Sequence, residues 1–291
     1  MKINLQYPCA QNNIALALLS FNHVEMTKKS VDSIIQYFVA HQINWPLLLI
    51  HNGSRAENVE LLKKYFPNIQ HLVIQDNAGF TGGVNGGLMY LFKQYDWVFF
   101  LTNDTTLIHF NLSVLDNLPP GLYAPTIYFR KYGRVDSMGG EFKPLIGKLN
   151  HLKMKVDKCH KHFYVPGTSF LIHRIVFNQV GTFDELLFTY WEDVDYSMRV
   201  KLHQFPLQHI EDIELIHAVG KTCHKDPKYT SYYFQRNRKI VSLRYLGFLG
   251  RIFFKCYFYV TMTKKLYYLI KKNESLKAEF LKRAILSIEK S

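Results

Sequence analysis

Residues 97–105 read WVFFLTNDT, an apolar run that ends abruptly in polar side chains. Three earlier runs have the same character, and stretches with helical periodicity separate them. The runs occupy residues 14–20, 46–51 and 72–75, and the helical patterns occupy 25–40, 56–65 and 86–94. Short runs rich in Ile, Leu, Val and Phe that alternate with helices indicate buried parallel strands. The sequence therefore predicts an α/β protein whose first half forms a parallel sheet flanked by helices.

Polar residues follow each of these four predicted strands. They are Ser20 and Asn22, Asn52 and Ser54, Asn77, and Asn103 and Asp104. Ligands of parallel sheets bind at the carboxyl ends of the strands. We therefore expect the four polar clusters to converge on one edge of the sheet and to form a binding site there.

The second half of the chain is more mixed, with strands predicted at 122–128, 165–173 and 207–215 and an acidic helix between the last two. That helix lies in YWEDVDYSMR, residues 190–199, which has three acids within four residues. Helical spacing puts Asp195 four residues before Arg199, so the two side chains can pair. Glu192 and Asp193 are either a solvated first turn, which the helix dipole favours, or carboxylates positioned for a reaction. The local sequence allows both interpretations.

Composition describes a folded globular protein with an anionic partner. The chain has 291 residues, 48% of them hydrophobic and 20% charged, and a formal net charge of +13. A strongly basic protein binds nucleic acid, an acidic membrane surface or a phosphorylated substrate. The four cysteines form no C-x-x-C pair, and the first apolar run is too short for a signal peptide core, so we expect a reduced, cytoplasmic setting.

From about Tyr229 the chain becomes helical, basic and aromatic. Its uncharged runs are shorter than the ~20 apolar residues that span a bilayer. We therefore divide the chain into residues 1–228, an α/β domain, and residues 229–291, a helical region that is expected to lie on a membrane surface.

Two glycine-containing stretches imitate phosphate-binding motifs without matching them. In residues 79–87, GFTGGVNGG, no two glycines are separated by one residue, so the dinucleotide fingerprint is absent. Gly220-Lys221-Thr222 lacks the first glycine of a P-loop, because Leu215 occupies its position. Small residues that open a helix still let backbone amides approach a diphosphate or a sugar, and close helix packing is the alternative.

Nine short motifs follow one another along the chain. They are residues 20–22 (SFN), 52–54 (NGS), 77–87 (NAGFTGGVNGG), 101–105 (LTNDT), 165–170 (VPGTSF), 183–185 (FDE), 191–195 (WEDVD), 217–220 (HAVG) and 236–238 (RNR). Taken together, they resemble the inverting family-2 glycosyltransferases of the GT-A fold, and among them the rhamnosyltransferase-type enzymes of bacterial polysaccharide assembly. The resemblance covers about residues 14–245 and implies a Rossmann-like mixed sheet flanked by helices, with a C-terminal helical extension.

The resemblance implies a divalent metal, Mg²⁺ or Mn²⁺, that bridges the diphosphate of a sugar nucleotide. Asp104 matches the family's metal-binding Asp, and His217 matches its late His that completes the metal or diphosphate contact. A hard oxygen ligand suits either ion. The alternatives are that Asp104 caps the next turn and that His217 is a structural hydrogen bonder, with His224 as a nearby competitor.

The resemblance also assigns the catalytic base to Asp193, the second acid of the family's Glu-Asp pair. Glu192 would orient the acceptor, and it is the alternative base. Arg236 and Arg238 would donate to phosphate or form a solvated helix face. Further donor-binding residues are expected at Asn22, Asn52, Ser54, Asn77, Gly83, Asn85 and Asn103. His51 stands where family members commonly carry an Asp that reads the nucleotide base.

These implications lead to an expectation of sugar transfer from a nucleoside-diphosphate donor to a glycan or polyprenyl-diphosphate-linked acceptor, at the cytoplasmic face of the plasma membrane. Nucleic acid is not expected as a partner. Two rivals are a non-catalytic nucleic-acid-binding protein, suggested by the interleaved Tyr and Arg of the C-terminal region, and a glycosyltransferase-like scaffold without activity.

Overall fold

The computed structural model describes residues 13–129, 133–155, 162–217 and 226–287. Its helices and strands alternate through the first half as the sequence predicts. The strands are β1 (Ile14–Ser20), β2 (Leu47–Asn52), β3 (Gln70–Ile74), β4 (Trp97–Thr102), β5 (Thr105–Phe110), β6 (Leu122–Phe129), β7 (Val135–Ser137), β8 (Gly140–Lys143), β9 (Lys148–His151), β10 (Phe163–Tyr164), β11 (Ser169–His173) and β12 (Leu207–His217). The helices are α1 (Val24–Ala40), α2 (Ala56–Tyr65), α3 (Gly79–Leu91), α4 (Arg174–Val180), α5 (Glu192–Leu202), α6 (Phe234–Arg244), α7 (Phe248–Lys271) and α8 (Ser275–Leu286).

The main sheet has the order β3-β2-β1-β4-β11-β6-β12-β5, with β7 added beside β6. Its first four strands are parallel, which confirms the predicted α/β half. β11 then runs antiparallel to both β4 and β6. Every residue of β1 and β2 is buried, because helices cover both faces of the sheet. The carboxyl ends of β1, β2 and β4 therefore meet at one edge, as expected from the polar clusters.

The second half differs from the prediction in several strands, and β7, β8 and β9 have no counterpart among the predicted ones. β5 begins directly after the predicted Asn103-Asp104 turn and pairs with β12, so the polar cluster is a tight connection between two strands. The predicted strand 165–173 begins later, because β11 covers only Ser169–His173 and residues 165–168 form a loop between it and β10, which precedes the predicted range. The Pro-Gly pair at 166 and 167 explains the break, since Pro donates no ladder hydrogen bond and Gly weakens a strand interior.

The glycine-rich helix begins earlier than predicted, at Gly79 instead of residue 86. Gly79 has φ +72°, and a Cβ there would lie 2.4 Å from the carbonyl oxygen of Phe188. Cβ atoms on Gly83 and Gly87 would lie 2.6 Å from Leu19 Cδ1 and 2.2 Å from Ile50 Cδ1. The glycines that lowered the helical propensity of this segment are thus the ones that let α3 approach β1 and β2 closely.

A small antiparallel sheet of β10, β8 and β9 lies beside the main sheet. It packs Phe142 and Tyr164 into a cluster with Trp191 and Val194 of the acidic segment and Ile240 and Val241 of α6. α6 therefore shares a core with the α/β half, although it lies beyond the predicted boundary at residue 228. α7 and α8 form a further cluster through Phe254, Phe258, Leu269 and Leu281.

Candidate active site

Asp104 and His217 meet at the predicted edge of the main sheet. β12 ends where β5 begins, so His217 pairs with Thr105 and its Nε2 lies 3.1 Å from Asp104 Oδ2. The Thr102 hydroxyl donates to Asp104 Oδ1 at 2.6 Å. Both the Asp104 and His217 side chains are 16% exposed, which leaves one side of the pair open to a ligand.

Two residues that sequence reasoning missed extend this pair. Asp136 Oδ2 lies 3.5 Å from His217 Nδ1, and Asp136 Oδ1 lies 3.5 Å from His151 Nδ1. The four side chains thus alternate in charge type, Asp104-His217-Asp136-His151. We call them the Asp-His chain.

The Asp-His chain compensates its own charge. Burial alone would raise the pKa of Asp104, but the hydrogen bonds and charge of His217 outweigh it and lower that pKa. Burial would lower the pKa of His217, and its two carboxylate neighbours instead raise it to about 9. At neutral pH His217 is therefore a cation between two carboxylates.

The side chains of this pair suit a divalent cation whose coordination is completed by a diphosphate. Among the described residues, no three His, Cys, Asp or Glu side chains are grouped to hold a metal alone. Asp104 and Asp136 flank opposite nitrogens of the His217 ring, which explains why they cannot share one ion with it. Mg²⁺ sites commonly use one or two protein ligands together with substrate phosphates, and Mn²⁺ accepts oxygen and imidazole donors. His217 would have to lose its proton to act as a ligand.

Glu192 and Asp193 begin α5 beneath the loop of residues 165–168. Asp193 Oδ2 accepts a hydrogen bond from Gly167 N at 2.9 Å, and its Oδ1 accepts one from Val194 N at 2.8 Å. Thr168 on the same loop accepts a backbone hydrogen bond from Thr102 at 3.1 Å, so the loop connects Asp193 to the Asp104 side of the site. Asp193 keeps a partly exposed edge, whereas Glu192 is buried.

Burial raises the pKa of both acids. For Glu192 the negative charge of Asp193 adds to the effect of burial, and the pKa rises well above its ordinary value. Oε2 of Glu192 has no hydrogen-bond partner among the described residues. Burial raises the pKa of Asp193 too, while the amides of Gly167 and Val194 and the charge of His151 oppose that rise. The arrangement favours a protonated Glu192 beside an ionised Asp193.

The loop that directly precedes Glu192 and Asp193 has a strained backbone. Phe188, Tyr190 and Trp191 all have φ between +62° and +74°, which is unusual for aromatic residues. Asn237 of α6 is fully buried, and its amide Nδ2 lies 2.7 to 2.8 Å from the carbonyl oxygens of Leu187, Thr189 and Tyr190. Asn237 thus holds the left-handed loop whose end sets the direction of Glu192 and Asp193. Asp195 has the structural role expected of it, because it binds Arg199 at 3.0 Å.

Three predicted donor-binding residues make contacts within the protein in this structure. Asn52 donates to Gly79 O at 2.7 Å and accepts from Ala78 N at 3.1 Å, which anchors the start of α3. Asn85 exchanges two hydrogen bonds with the backbone of Phe183, both at 2.9 Å. Gly83 packs against Leu19 and Asn52. Their contact with a donor stays a prediction, and the side chains of Asn52 and Asn85 are already engaged.

The other predicted polar residues lie along the same edge. Asn22, at φ +57°, accepts from Arg55 N at 2.8 Å through its side chain, and the hydroxyl of Ser54 accepts from Asn22 N at 3.1 Å. Asn103 is buried and donates to Thr27 at 2.9 Å. Asn77 is exposed at the entry to α3. Asn77 is the most accessible of this group to a ligand.

The side chains of Arg236 and Arg238 lie on opposite sides of α6, and each donates hydrogen bonds to backbone carbonyl oxygens of this protein. Arg236 donates to the carbonyl oxygens of Leu186 and Leu187. Arg238 donates to Ile146 O at 2.7 Å and lies over the ring of Tyr257, so it joins the small sheet to α7. A role for either residue in phosphate binding stays a prediction.

His51 is buried at the end of β2, where its Nε2 lies 2.9 Å from Nδ1 of His71. Burial and the neighbouring His71 lower the pKa of His51 to about 4. The position that commonly carries a base-reading Asp is thus a neutral imidazole in this chain at physiological pH. His224 and Gly220-Lys221-Thr222, which the sequence analysis considered, lie outside the described residues.

Asp136 and His151 gave no local signal in the sequence, and the signal for Asn237 was easily overlooked. Asp136 and His151 belong to β7 and β9, short strands that no apolar run marks, and Asn237 stands between two arginines whose charge suggested phosphate binding. The spacing of Asn237 from Ile240 and Val241, which are both buried, would place it on the inner face of a helix.

Comparison with known proteins identifies the fold. No protein-family model matches the sequence, and no curated protein matches it. Among solved structures, the chain is similar to GalNAc-T7 bound to UDP, GalNAc and Mn²⁺, with a TM-score of 0.62 and 13% identity over 81% of this chain. It spans about half of that protein, 48% of its length.

Two further structures agree. The mannosyltransferase PcManGT from Pyrobaculum calidifontis, in complex with GDP-Man and Mn²⁺, has a TM-score of 0.52 and 10% identity, covering 96% of this chain and 90% of its own. S. aureus TarS in complex with UDP has a TM-score of 0.51 and 13% identity, covering 84% of this chain and 70% of its own. The chain therefore has the GT-A glycosyltransferase fold with added C-terminal helices, as the sequence predicts.

Proposed function

We propose that this protein is a metal-dependent inverting glycosyltransferase that moves a sugar from a nucleoside-diphosphate donor to a glycan acceptor. The observation that carries the proposal is the pairing, across one loop, of a charge-compensated Asp104-His217 pair with a carboxylate of raised pKa at Asp193. The solved structures of the same fold contain UDP or GDP-Man, two of them with Mn²⁺, which supports the donor class and a divalent metal.

Asp193 is the better candidate for the catalytic base. Two backbone amides favour its ionised form, and its partly exposed edge can reach an acceptor hydroxyl. Glu192 is buried and its pKa is raised well above the ordinary value, so we assign it a position beside the base and not the role of the base. In the proposed reaction Asp193 removes the hydroxyl proton as that oxygen attacks the anomeric carbon from the face opposite the nucleotide, which inverts the configuration.

Asp104 and His217 would hold Mg²⁺ or Mn²⁺ on the departing side of the reaction. When bound, the cation neutralises the negative charge that develops on the diphosphate. The Thr102 hydroxyl and Asp136 orient these two residues, since each bonds the ligand side chain on the side away from its partner. Asn22, Asn77 and Asn103 would line the donor side.

The acceptor proposed is a glycan or a polyprenyl-diphosphate-linked glycan of a bacterial cell-surface polysaccharide, with rhamnose as a donor sugar to test. Such an acceptor is presented at a membrane. We accordingly propose a cytoplasmic, peripheral location at the inner face of the plasma membrane.

The test is a panel of nucleoside-diphosphate sugars, each measured for thermal stabilisation with Mn²⁺, with Mg²⁺ and with EDTA. A donor at 100 times its dissociation constant stabilises the fold by about 2.7 kcal/mol. We expect at least one sugar nucleotide to raise the melting temperature only with metal, and the corresponding sugar to be released slowly by hydrolysis. Absence of any metal-dependent stabilisation would instead favour a scaffold with a glycosyltransferase fold.

A further inference from the structure

The outer face of α7 is an exposed apolar surface. The helix turns Phe254, Phe258, Met262 and Leu269 toward the protein. On the opposite face lies the α7 stripe, defined by six of the eight large apolar or aromatic residues of α7 that are at least 48% exposed. They are Phe248, Leu249, Ile252, Phe253, Val260 and Tyr267. At 1.5 Å per residue the stripe is about 30 Å long.

The geometry of α7 places these residues side by side. At 100° per residue all six fall within a sector of about 140°, and no charged residue lies at the centre of that sector. Single exposed apolar residues are common on protein surfaces, but a contiguous strip of this length marks a surface that is covered when the protein works.

The charges around the stripe indicate what covers it. Between Phe248 and Lys271 the helix carries five basic residues and no acidic one. They are Arg251, Lys255, Lys264, Lys265 and Lys271. A second copy of the chain packed on the stripe would bring these like charges together, which opposes association. Three of them, Lys255, Lys264 and Lys271, flank the stripe on the helical wheel, so a bilayer with anionic headgroups attracts them and accepts the apolar side chains between them.

We infer that the α7 stripe inserts into the headgroup region of an anionic lipid bilayer, with α7 lying in the plane of the membrane. No described helix is long and apolar enough to cross a bilayer, and an apolar stripe along one face suits insertion from the surface. The inference rests on the peripheral location proposed above, and it is independent of the transfer chemistry.

The small sheet links this membrane face to the site. The turn Pro144–Ile146 packs on α7, and a Cβ on the following Gly147 would lie 2.9 Å from Phe254. β9 leads from this turn to His151 of the Asp-His chain, and four residues of strand span about 13 Å. A membrane-bound α7 would hold one end of the hairpin and leave the Asp-His chain at its other end.

Point variants test the stripe better than removal of α7 and α8 would. The buried ammonium of Lys239 donates to the carbonyl oxygens of Ile285 and Ser287, so deleting α8 would remove those partners from the core of α6. The test variant is Leu249→Glu with Tyr267→Glu, at positions 79% and 70% exposed. The matched control is Val39→Glu with Leu202→Glu, at positions 71% and 69% exposed outside α7. Both pairs change the net charge equally.

Full-length wild-type and variant proteins are sedimented with vesicles of phosphatidylcholine alone or with 30% phosphatidylglycerol, at low and high salt. We expect wild type and control to bind the anionic vesicles, and the stripe variant to bind at least tenfold more weakly. Equal binding by all three proteins, or no binding by wild type, would overturn the inference. A wild-type dimer in solution that the stripe variant abolishes would also overturn it, because a second copy would then cover α7.

Cys256, which is exposed on the same face, supplies a second measurement. A polarity-sensitive fluorophore is attached to it after Cys9, Cys159 and Cys223 are replaced by Ser, with Val39→Cys in a Cys256→Ser background as the control. Anionic vesicles should shift the Cys256 emission to the blue and leave the Val39→Cys emission unchanged. An unshifted Cys256 signal on bound protein would place the membrane contact elsewhere. Metal-dependent donor binding by the stripe variant reports on the proposed function separately, and we expect it to be retained.

Discussion

Asp104 and Asp193 lie on either side of the loop 165–168, and their surroundings change their pKa values in opposite directions. His217 lowers the pKa of Asp104, and Thr102 adds a hydrogen bond to the charged form. Asp193 lies beside another carboxyl in a buried setting, and its pKa is raised. The first environment keeps a carboxylate charged at all working pH values, as a cation ligand requires. The second raises the pKa of a carboxylate and so strengthens it as a proton acceptor, as a general base requires.

Asp193→Asn is expected to have the largest effect of the variants considered. The amide oxygen can still accept the hydrogen bond from Gly167, and only the local one from Val194 is lost, so the fold and donor binding should remain, but no base is left. We expect the rate of sugar transfer to fall ~10²-fold or more, with metal-dependent stabilisation by the donor unchanged. Single-turnover transfer and thermal melting with donor measure the two. Undiminished transfer would move the base to Glu192, for which Glu192→Gln is the companion variant.

The opposite side of the comparison is tested by Asp104→Asn and Asp136→Asn. Asp104 would touch the cation directly, so its loss should abolish the metal-dependent part of donor binding. Asp136 acts only through His217, and loss of such a partner typically weakens metal affinity by about 10- to 100-fold. Mn²⁺ titrations of donor-induced stabilisation distinguish the variants. Equal titration curves for both variants and wild type would remove the Asp-His chain from metal binding.

A third prediction concerns the loop that supplies the acids. Asn237→Ala leaves the carbonyl groups of Thr189 and Tyr190 without their donor, while that of Leu187 keeps Arg236, so we expect a loss of about 1 to 3 kcal/mol in the free energy of unfolding. Because the loop sets the direction of Asp193, kcat should fall more than KM rises. The control is Asn150→Ala, which removes one partly buried hydrogen bond to Glu141 at the small sheet. An Asn237→Ala enzyme with wild-type kcat would show that the loop holds its shape without this clamp.

The sequence predicts much of this arrangement, and the limits have physical causes. Buried strands can be recognised in the sequence from their apolar runs. Asp104 and His217 meet because their strands end at one edge of the sheet. Asp136 and His151 lie on strands of three and four residues, too short for a periodic signal. Asn52 and Asn85 have the side chains of ligands, and only the fold shows that backbone groups of Ala78, Gly79 and Phe183 already occupy them.

The last expected effect concerns stability alone and is a pH dependence caused by Glu192. Its folded-state pKa is raised, so above the ordinary carboxyl pKa the folded chain holds a proton that the unfolded chain has lost. Stability therefore decreases as pH rises through this window, by at most about 1.4 kcal/mol per pH unit, and levels off above the folded pKa. Glu192→Gln resembles the protonated acid in shape and does not titrate, so its stability relative to wild type should increase with pH. Urea unfolding of both proteins from pH 5 to pH 8 measures the difference. A constant difference over that range would mean that Glu192 ionises in the fold as readily as in the unfolded chain, and the contrast with Asp104 would then rest on Asp193 alone.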